Sequence, residues 1–172
     1  ASFDALGTFS KREDAPRQAS RPFDRSRDGL VPSGGAAALI LESESHLKAR
    51  GGRPLAELIG YGSSSDAFRV TDMHHEGRGA VQAMTAAMAD AAVTYRDIDY
   101  INTHGTSTQE NDSVETLAIK TVFKERAKQV PASSVKSMLG HLIAAAGAAE
   151  LITCVLAMRD AIVPPTINLN DP

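Results

Sequence analysis

The sequence predicts an α/β fold, and three observations carry that prediction. From Ala80 onward the hydrophobic pattern reads helix, strand, helix, strand, helix. That alternation argues for parallel strands joined by right-handed crossovers. Two of the strand-to-helix corners each deliver a histidine: His104 within Asn102-Thr103-His104-Gly105-Thr106-Ser107-Thr108, and His141 at the end of Lys136-Ser137-Met138-Leu139-Gly140-His141. Successive parallel strands put both corners on one edge of the sheet, where functional residues of open α/β sheets collect. The two histidines are therefore expected to face one pocket.

The 172 residues make one domain by length, and 42% hydrophobic content is enough for a core. Aromatics are 5% and Trp is absent, so alanine-rich helices must do much of the packing. A net charge of -3 carries no global signature of nucleic acid or membrane. A single cysteine rules out an internal disulfide framework and fits a reducing compartment. The opening Ala1-Ser2-Phe3-Asp4 lacks the basic and apolar regions of a signal peptide, and the missing initiator Met suggests a trimmed or partial chain.

Residues 1–28 are polar and irregular. Between 11 and 27 lie Lys11, Arg12, Arg17, Arg21, Arg25 and Arg27, against Glu13, Asp14 and Asp24. They read as a solvated loop or as a docking surface for an acidic partner. Gly29 to Gly35 is turn chemistry. Ala36 to Leu41 reads as a buried strand, Glu42 to Arg50 as a short helix stopped by Gly51-Gly52 and Pro54, and Leu55 to Tyr61 as another strand. Ser63 to Gly79 is a long loop of the kind that forms lids and rims. Its His74-His75 pair lacks the spacing and companion ligands of a zinc site, so no metal is expected there.

Ala80 to Val93 reads as a helix rich in Ala and Met, Ile98 to Asn102 as a strand, and Asp112 to Lys128 as a helix. Asp112 and Glu115 have the spacing of a capping box at its start. Val130 to Val135 is the next strand. Leu142 to Met158 is a seventeen-residue helix, apolar except for Glu150 and Thr153. Glu150 and the lack of a second such segment speak against a membrane span, and a helix apolar all round belongs at the centre of a fold. A carboxylate in such a helix needs a partner. Lys136 is the nearest candidate, and the pair would fix the loop carrying His141. Cys154, set in the same apolar helix, reads as an inert core residue and not a nucleophile. Pro164-Pro165 forbids further helix.

The two histidine motifs, with Ala145-Ala146-Gly147-Ala148-Ala149-Glu150, resemble the β-ketoacyl-acyl carrier protein synthases, nearest the type II elongating enzymes (β-ketoacyl-ACP synthase II-like). Arg21-Pro22-Phe23-Asp24, Arg27-Asp28-Gly29 and Ala161-Ile162-Val163-Pro164-Pro165-Thr166-Ile167-Asn168 share the likeness, which runs over essentially the whole chain. The resemblance implies a thiolase-like fold, two similar halves in α-β-α-β-α layers. Residues 1–54 would end the N-terminal half, and residues 55–172 would form most of the C-terminal half.

It also implies an acyltransferase of fatty acid biosynthesis. Such an enzyme decarboxylates malonyl-acyl carrier protein and joins the carbanion to an acyl group held on a cysteine. His104 and His141 would donate hydrogen bonds to the enolate oxygen. Lys136 would tune the field around His141, and Glu150 would anchor Lys136, with Asp112 and Glu115 in supporting roles. Thr106 and Thr108 match positions that bind the phosphopantetheine arm, though turn and cap chemistry also suits them. Asn102 and Glu150 match positions near a structural monovalent cation in some members. The implied enzyme is a cytoplasmic homodimer with no cofactor of its own, no nucleic acid and no membrane. Its partner is the acyl carrier protein, which brings the phosphopantetheine.

The chain also departs from the pattern. The nucleophilic cysteine is expected upstream of Ala1 and the glycine-rich segment that closes the acyl pocket after Pro172. A fragment inactive in condensation by itself is therefore expected. Pro32-Ser33-Gly34-Gly35-Ala36 departs from an acidic, glycine-rich turn, and Gly7 stands where some relatives carry a carrier-contacting arginine. Two other readings stay open: a non-catalytic partner subunit of the chain-length-factor kind, which would not need both histidines and Lys136, and the ketosynthase domain of a polyketide synthase.

Overall fold

The computed structural model describes residues 5–69 and 73–172. The opening four residues and positions 70–72 of the long loop lie outside the described residues. In chain order the regular elements are a 3-10 turn at Pro16–Gln18, helix α1 (Glu44–Ala49), helix α2 (Arg78–Asp90), strand β1 (Ile101–Asn102) and helix α3 (Gln109–Phe123). A 3-10 turn (Lys124–Lys128), strand β2 (Ala132–Ser133), the short helix α4 (Lys136–Leu139), a 3-10 turn (Ile143–Ala145) and helix α5 (Ala146–Asp160) complete the order.

The predicted alternation is present. β1 and β2 pair in parallel, Ile101 opposite Ala132 and Asn102 opposite Ser133. The ladder is shorter than the hydrophobic runs suggest, because only two residues of each run find a partner. Between the strands, α3 packs its buried Ile119, Val122 and Phe123 with Val130. Met84 and Met88 of α2 and Ile98 and Ile101 close over this cluster. This small core sets the spacing between the two corners.

Three expectations fail, for one shared reason. Residues 36–41 form no strand, and Ile40 and Leu41 are largely exposed. Residues 55–61 form no strand either, and Leu55, Leu58 and Ile59 face solvent. Helix α5 is not central: Ala146 is its one buried residue, while Leu156 and Met158 are exposed. An apolar run becomes a buried element only when it is covered on its apolar sides, and among the described residues these three runs are covered only in part. The 55–61 segment does lie across α2, where Gly60 and Gly62 bring its backbone against the carbonyls of Ala87 and Ala83. A Cβ at either glycine would collide with that helix. Tyr61 N–H donates to Asp90 at 2.9 Å and ties the segment to the end of α2.

Residues 19–30 also differ from a solvated loop. Ala19 to Pro22, Asp24, Gly29 and Leu30 are buried. Three of the six cations between residues 11 and 27 are spent internally: Arg12 donates to the Ser26 carbonyl at 2.9 Å. Arg21 donates to Asp24 at 3.1 Å, and Arg27 donates to the Thr108 and Gln109 carbonyls at 3.0 Å. Lys11, Arg17 and Arg25 remain exposed.

Candidate active site

The two corners are built differently and meet at their histidines. α3 begins at Gln109, and its N-cap is Thr108, whose hydroxyl accepts the Asn111 N–H at 3.3 Å. The capping box expected at Asp112 and Glu115 is therefore absent. Both carboxylates point back from the first turns of α3 into the loop before it. Glu115 accepts the backbone N–H groups of His104 at 2.7 Å and Gly105 at 2.8 Å. Asp112 accepts those of Phe23 at 2.7 Å and Ser107 at 3.2 Å, beside the Arg27 guanidinium at 3.5 Å. Burial pushes both carboxyls upward, and the hydrogen bonds oppose that shift.

Gly105 lies at φ +44°, and a Cβ there would overlap the side chain of Ser134. The Ser134 hydroxyl donates to the Gly105 carbonyl at 2.8 Å. The first corner is thereby joined to the second. The second corner is held from the other side as well: His141 N–H donates to the Val31 carbonyl at 2.7 Å, and Ser33 N–H donates to the His141 carbonyl at 3.0 Å. The Ser20 hydroxyl donates to the Lys136 carbonyl at 2.6 Å.

The rings of His104 and His141 stand edge to face, 5.3 Å between centroids at 89°. Lys136 lies at the base of the pair and is 1% exposed. Its ammonium has three N–H groups and three acceptors: Glu150, the His104 carbonyl at 2.6 Å, and His104 Nδ1 at 3.3 Å. The ion pair with Glu150 is present as expected. The direct contact of Lys136 is with His104 of the neighbouring corner, while its charge also acts on His141, where the sequence pointed. His141 Nδ1 accepts the Ile143 N–H at 3.0 Å.

These contacts assign the tautomers. Each Nδ1 faces a donor and must be bare, so each neutral ring carries its proton on Nε2. Burial first, then the Lys136 charge and His141, hold His104 down at about 4. His141 is lowered by burial and by Lys136. His104 keeps an exposed face, and the ammonium acts in the same direction as burial. Both rings are neutral near pH 7. The arrangement offers two Nε2–H donors on adjacent rings, the equipment for stabilising one oxyanion.

The remaining sequence candidates sort plainly. The Thr106 and Thr108 hydroxyls are hydrogen-bonded to each other at 2.9 Å. Asn102 Nδ2 donates to the Tyr100 hydroxyl at 3.3 Å, while its Oδ1 is buried without a partner. Cys154 is half-buried, and burial and Glu150 push its thiol up, consistent with an inert residue. His74 and His75 stack at 4.4 Å, with Phe68 edge-on to both. Among the described residues no three His, Cys, Asp or Glu side chains gather as a metal site. Clefts of about 520 and 400 Å³ flank the start of α3 and the α4 loop, and neither is lined by His104 or His141. The two rings do stand side by side, as expected of corners on one edge of a parallel pair.

Sequence reasoning passed over Ser134, and gave Thr166 and Asp24 no role. The Arg21–Asp24 spacing of three was the visible signal for the last. Asp24, 1% exposed, accepts from Arg21, from Ser26 and from the backbone of Asn170 and Asp171. Burial would raise its carboxyl, but these hydrogen bonds outweigh it and hold it well below the ordinary carboxylate range.

Comparison with known proteins now decides the family. Residues 55–170 match the family model described as Beta-ketoacyl synthase, C-terminal domain. The chain belongs to the β-ketoacyl synthases. It is 49% identical over its whole length to 3-oxoacyl-[acyl-carrier-protein] synthase 2 of Vibrio harveyi, of which it covers 42%. It is 44% identical over its whole length to the tetracenomycin polyketide synthase ketoacyl synthase alpha subunit of Streptomyces glaucescens, of which it covers 40%. A solved type II polyketide ketosynthase in complex with its acyl-carrier protein superposes with a TM-score of 0.95 at 42% identity. That match covers 99% of this chain and 42% of the other. The fold is thus thiolase-like, and the chain spans about two fifths of the length of these β-ketoacyl synthase relatives.

Proposed function

We propose that this segment supplies the decarboxylation half of a 3-oxoacyl-[acyl-carrier-protein] synthase. The observation that carries the reading is the pair of neutral Nε2–H imidazoles fixed by Lys136 and Ile143. In malonyl thioester decarboxylation the bond between the carboxylate and the α-carbon breaks. Carbon dioxide leaves, and the electron pair passes through the α-carbon to the thioester oxygen. Two donors on that oxygen hold the enolate, each worth roughly 3 kcal/mol in a preorganised site. The α-carbon then attacks the acyl thioester carbon on a cysteine supplied outside residues 1–172, and the cysteine thiolate leaves. The segment alone performs no condensation on this reading.

The substrate is malonyl-acyl carrier protein, and the phosphopantetheine arm runs past Thr106 and Thr108. Residues 1–54 close the N-terminal half of a cytoplasmic homodimer, and residues 55–172 form most of the C-terminal half. The buried, unpartnered Asn102 Oδ1 suits one oxygen ligand of a structural monovalent cation, with Glu150 nearby in the family pattern. Fatty acid elongation is the first reading. Polyketide chain building has equal support, because the Streptomyces glaucescens alpha subunit matches over the whole chain at 44% identity. The chain-length-factor reading is disfavoured, since such a subunit has no use for two histidines held in the donor tautomer.

The test uses a complete synthase carrying this segment. His104→Ala and His141→Ala should each abolish malonyl-acyl carrier protein decarboxylation, while acyl transfer to the cysteine persists at least in part. Normal decarboxylation in either variant contradicts the assignment.

A further inference from the structure

We propose that Thr166 is a positioning residue that sets the His104 and Lys136 geometry through Ser134; this rests on the reading of the histidine pair given above. Pro164-Pro165 prevents α5 from continuing and keeps the following backbone extended, so the chain returns alongside the loop before α4. There Thr166 Oγ1 accepts the N–H of Ser134 at 3.0 Å. One residue on, Ile167 N–H donates to the Ser137 hydroxyl at 3.0 Å, and that hydroxyl donates to the Ser134 carbonyl at 2.9 Å. The backbone of Ser134 is thus held at both its polar groups.

Ser134 is fully buried and passes the constraint on in two directions. Its hydroxyl donates to the carbonyl of Gly105, the neighbour of His104, at 2.8 Å. The same oxygen accepts the backbone N–H of Lys136 at 3.3 Å. One serine therefore registers the first corner against the residue whose ammonium holds the His104 ring. Thr166 lies at the start of that relay, away from the reacting atoms. Losing its hydroxyl would leave a buried N–H without its acceptor and would free the joint between the corners. Donors that must converge on one oxygen tolerate displacements of only about 0.5 Å.

Two nearly isosteric variants of a complete synthase test this. Thr166→Val keeps the shape and removes the acceptor; Thr166→Ser keeps the acceptor. For Thr166→Val we expect decarboxylation kcat to fall roughly ten- to hundredfold, with KM for malonyl-acyl carrier protein and the rate of cysteine acylation within about twofold of the parent. Thr166→Ser should restore kcat to within about threefold. Parental kcat in Thr166→Val overturns the proposal. So does an equal loss of acylation and decarboxylation, or a Thr166→Ser variant as impaired as Thr166→Val. His104→Ala run alongside separates the two readings. If it decarboxylates normally, the donor pair is wrong whatever Thr166 does. If it is dead while Thr166→Val is parental, the positioning role alone fails.

Discussion

Lys136 makes the site electrostatically definite. Its three donors are shared between one carboxylate and two atoms of His104, so a buried cation is fully satisfied and simultaneously selects a tautomer. The same charge disfavours protonation of both rings. This has a consequence for stability. His104 ordinarily titrates at 6.5 and lies at about 4 in the fold. Above pH 6.5 its contribution is complete. As pH falls from 6.5 toward 4 the unfolded chain takes up a proton that the folded one declines, so stability is lost across that window. Asp112 and Glu115, raised by burial, act with opposite sign, so the difference between the parent and His104→Gln isolates the histidine. Thermal melts of a complete synthase should show the parent losing stability relative to His104→Gln between pH 6.5 and 4, and a constant difference above 6.5. Parallel curves throughout would mean His104 is not depressed.

At the scale of elements, helix α3 works from its first turns. Thr108 closes its end, which releases Asp112 and Glu115 to reach back and grip the preceding loop. The loop is gripped from the opposite side by Ser134, and Gly105 is where the two meet. Gly105→Ala should cost about 1–3 kcal/mol, from the overlap with Ser134 together with the positive φ. A melting temperature within a degree of the parent would show that the corner relaxes freely. The order of elements from α2 onward was legible because 3.6-residue and short apolar runs alternate there. The cap was not. Asp112 and Glu115 have the spacing of a capping box, and only the path of the loop reveals that their acceptors are needed elsewhere. The runs at 36–41 and 55–61 were misread for a different reason. Apolar character marks a surface to be covered, while a strand requires a partner ladder, which periodicity does not report.

For the molecule as a whole, the N-terminal stretch and the C-terminal tail serve as the frame of the site. Asp24 gathers Arg21, Ser26, Asn170 and Asp171, while Ser20, Val31 and Ser33 hold the second corner. The histidines were visible in the sequence because strand-to-helix corners expose chemistry. Their frame was not, because its contacts join residues more than a hundred positions apart, such as Ser20 to Lys136 and Asn168 to Ser20. What the frame accomplishes is to hold two neutral imidazoles side by side, which the proposed function uses as donors to one oxygen. Nitrogen-15 NMR of a complete synthase with labelled histidines reads this directly. At pH 7 His104 and His141 should each show a protonated Nε2 and a bare Nδ1. An imidazolium, or a proton on Nδ1 in either ring, would contradict the account.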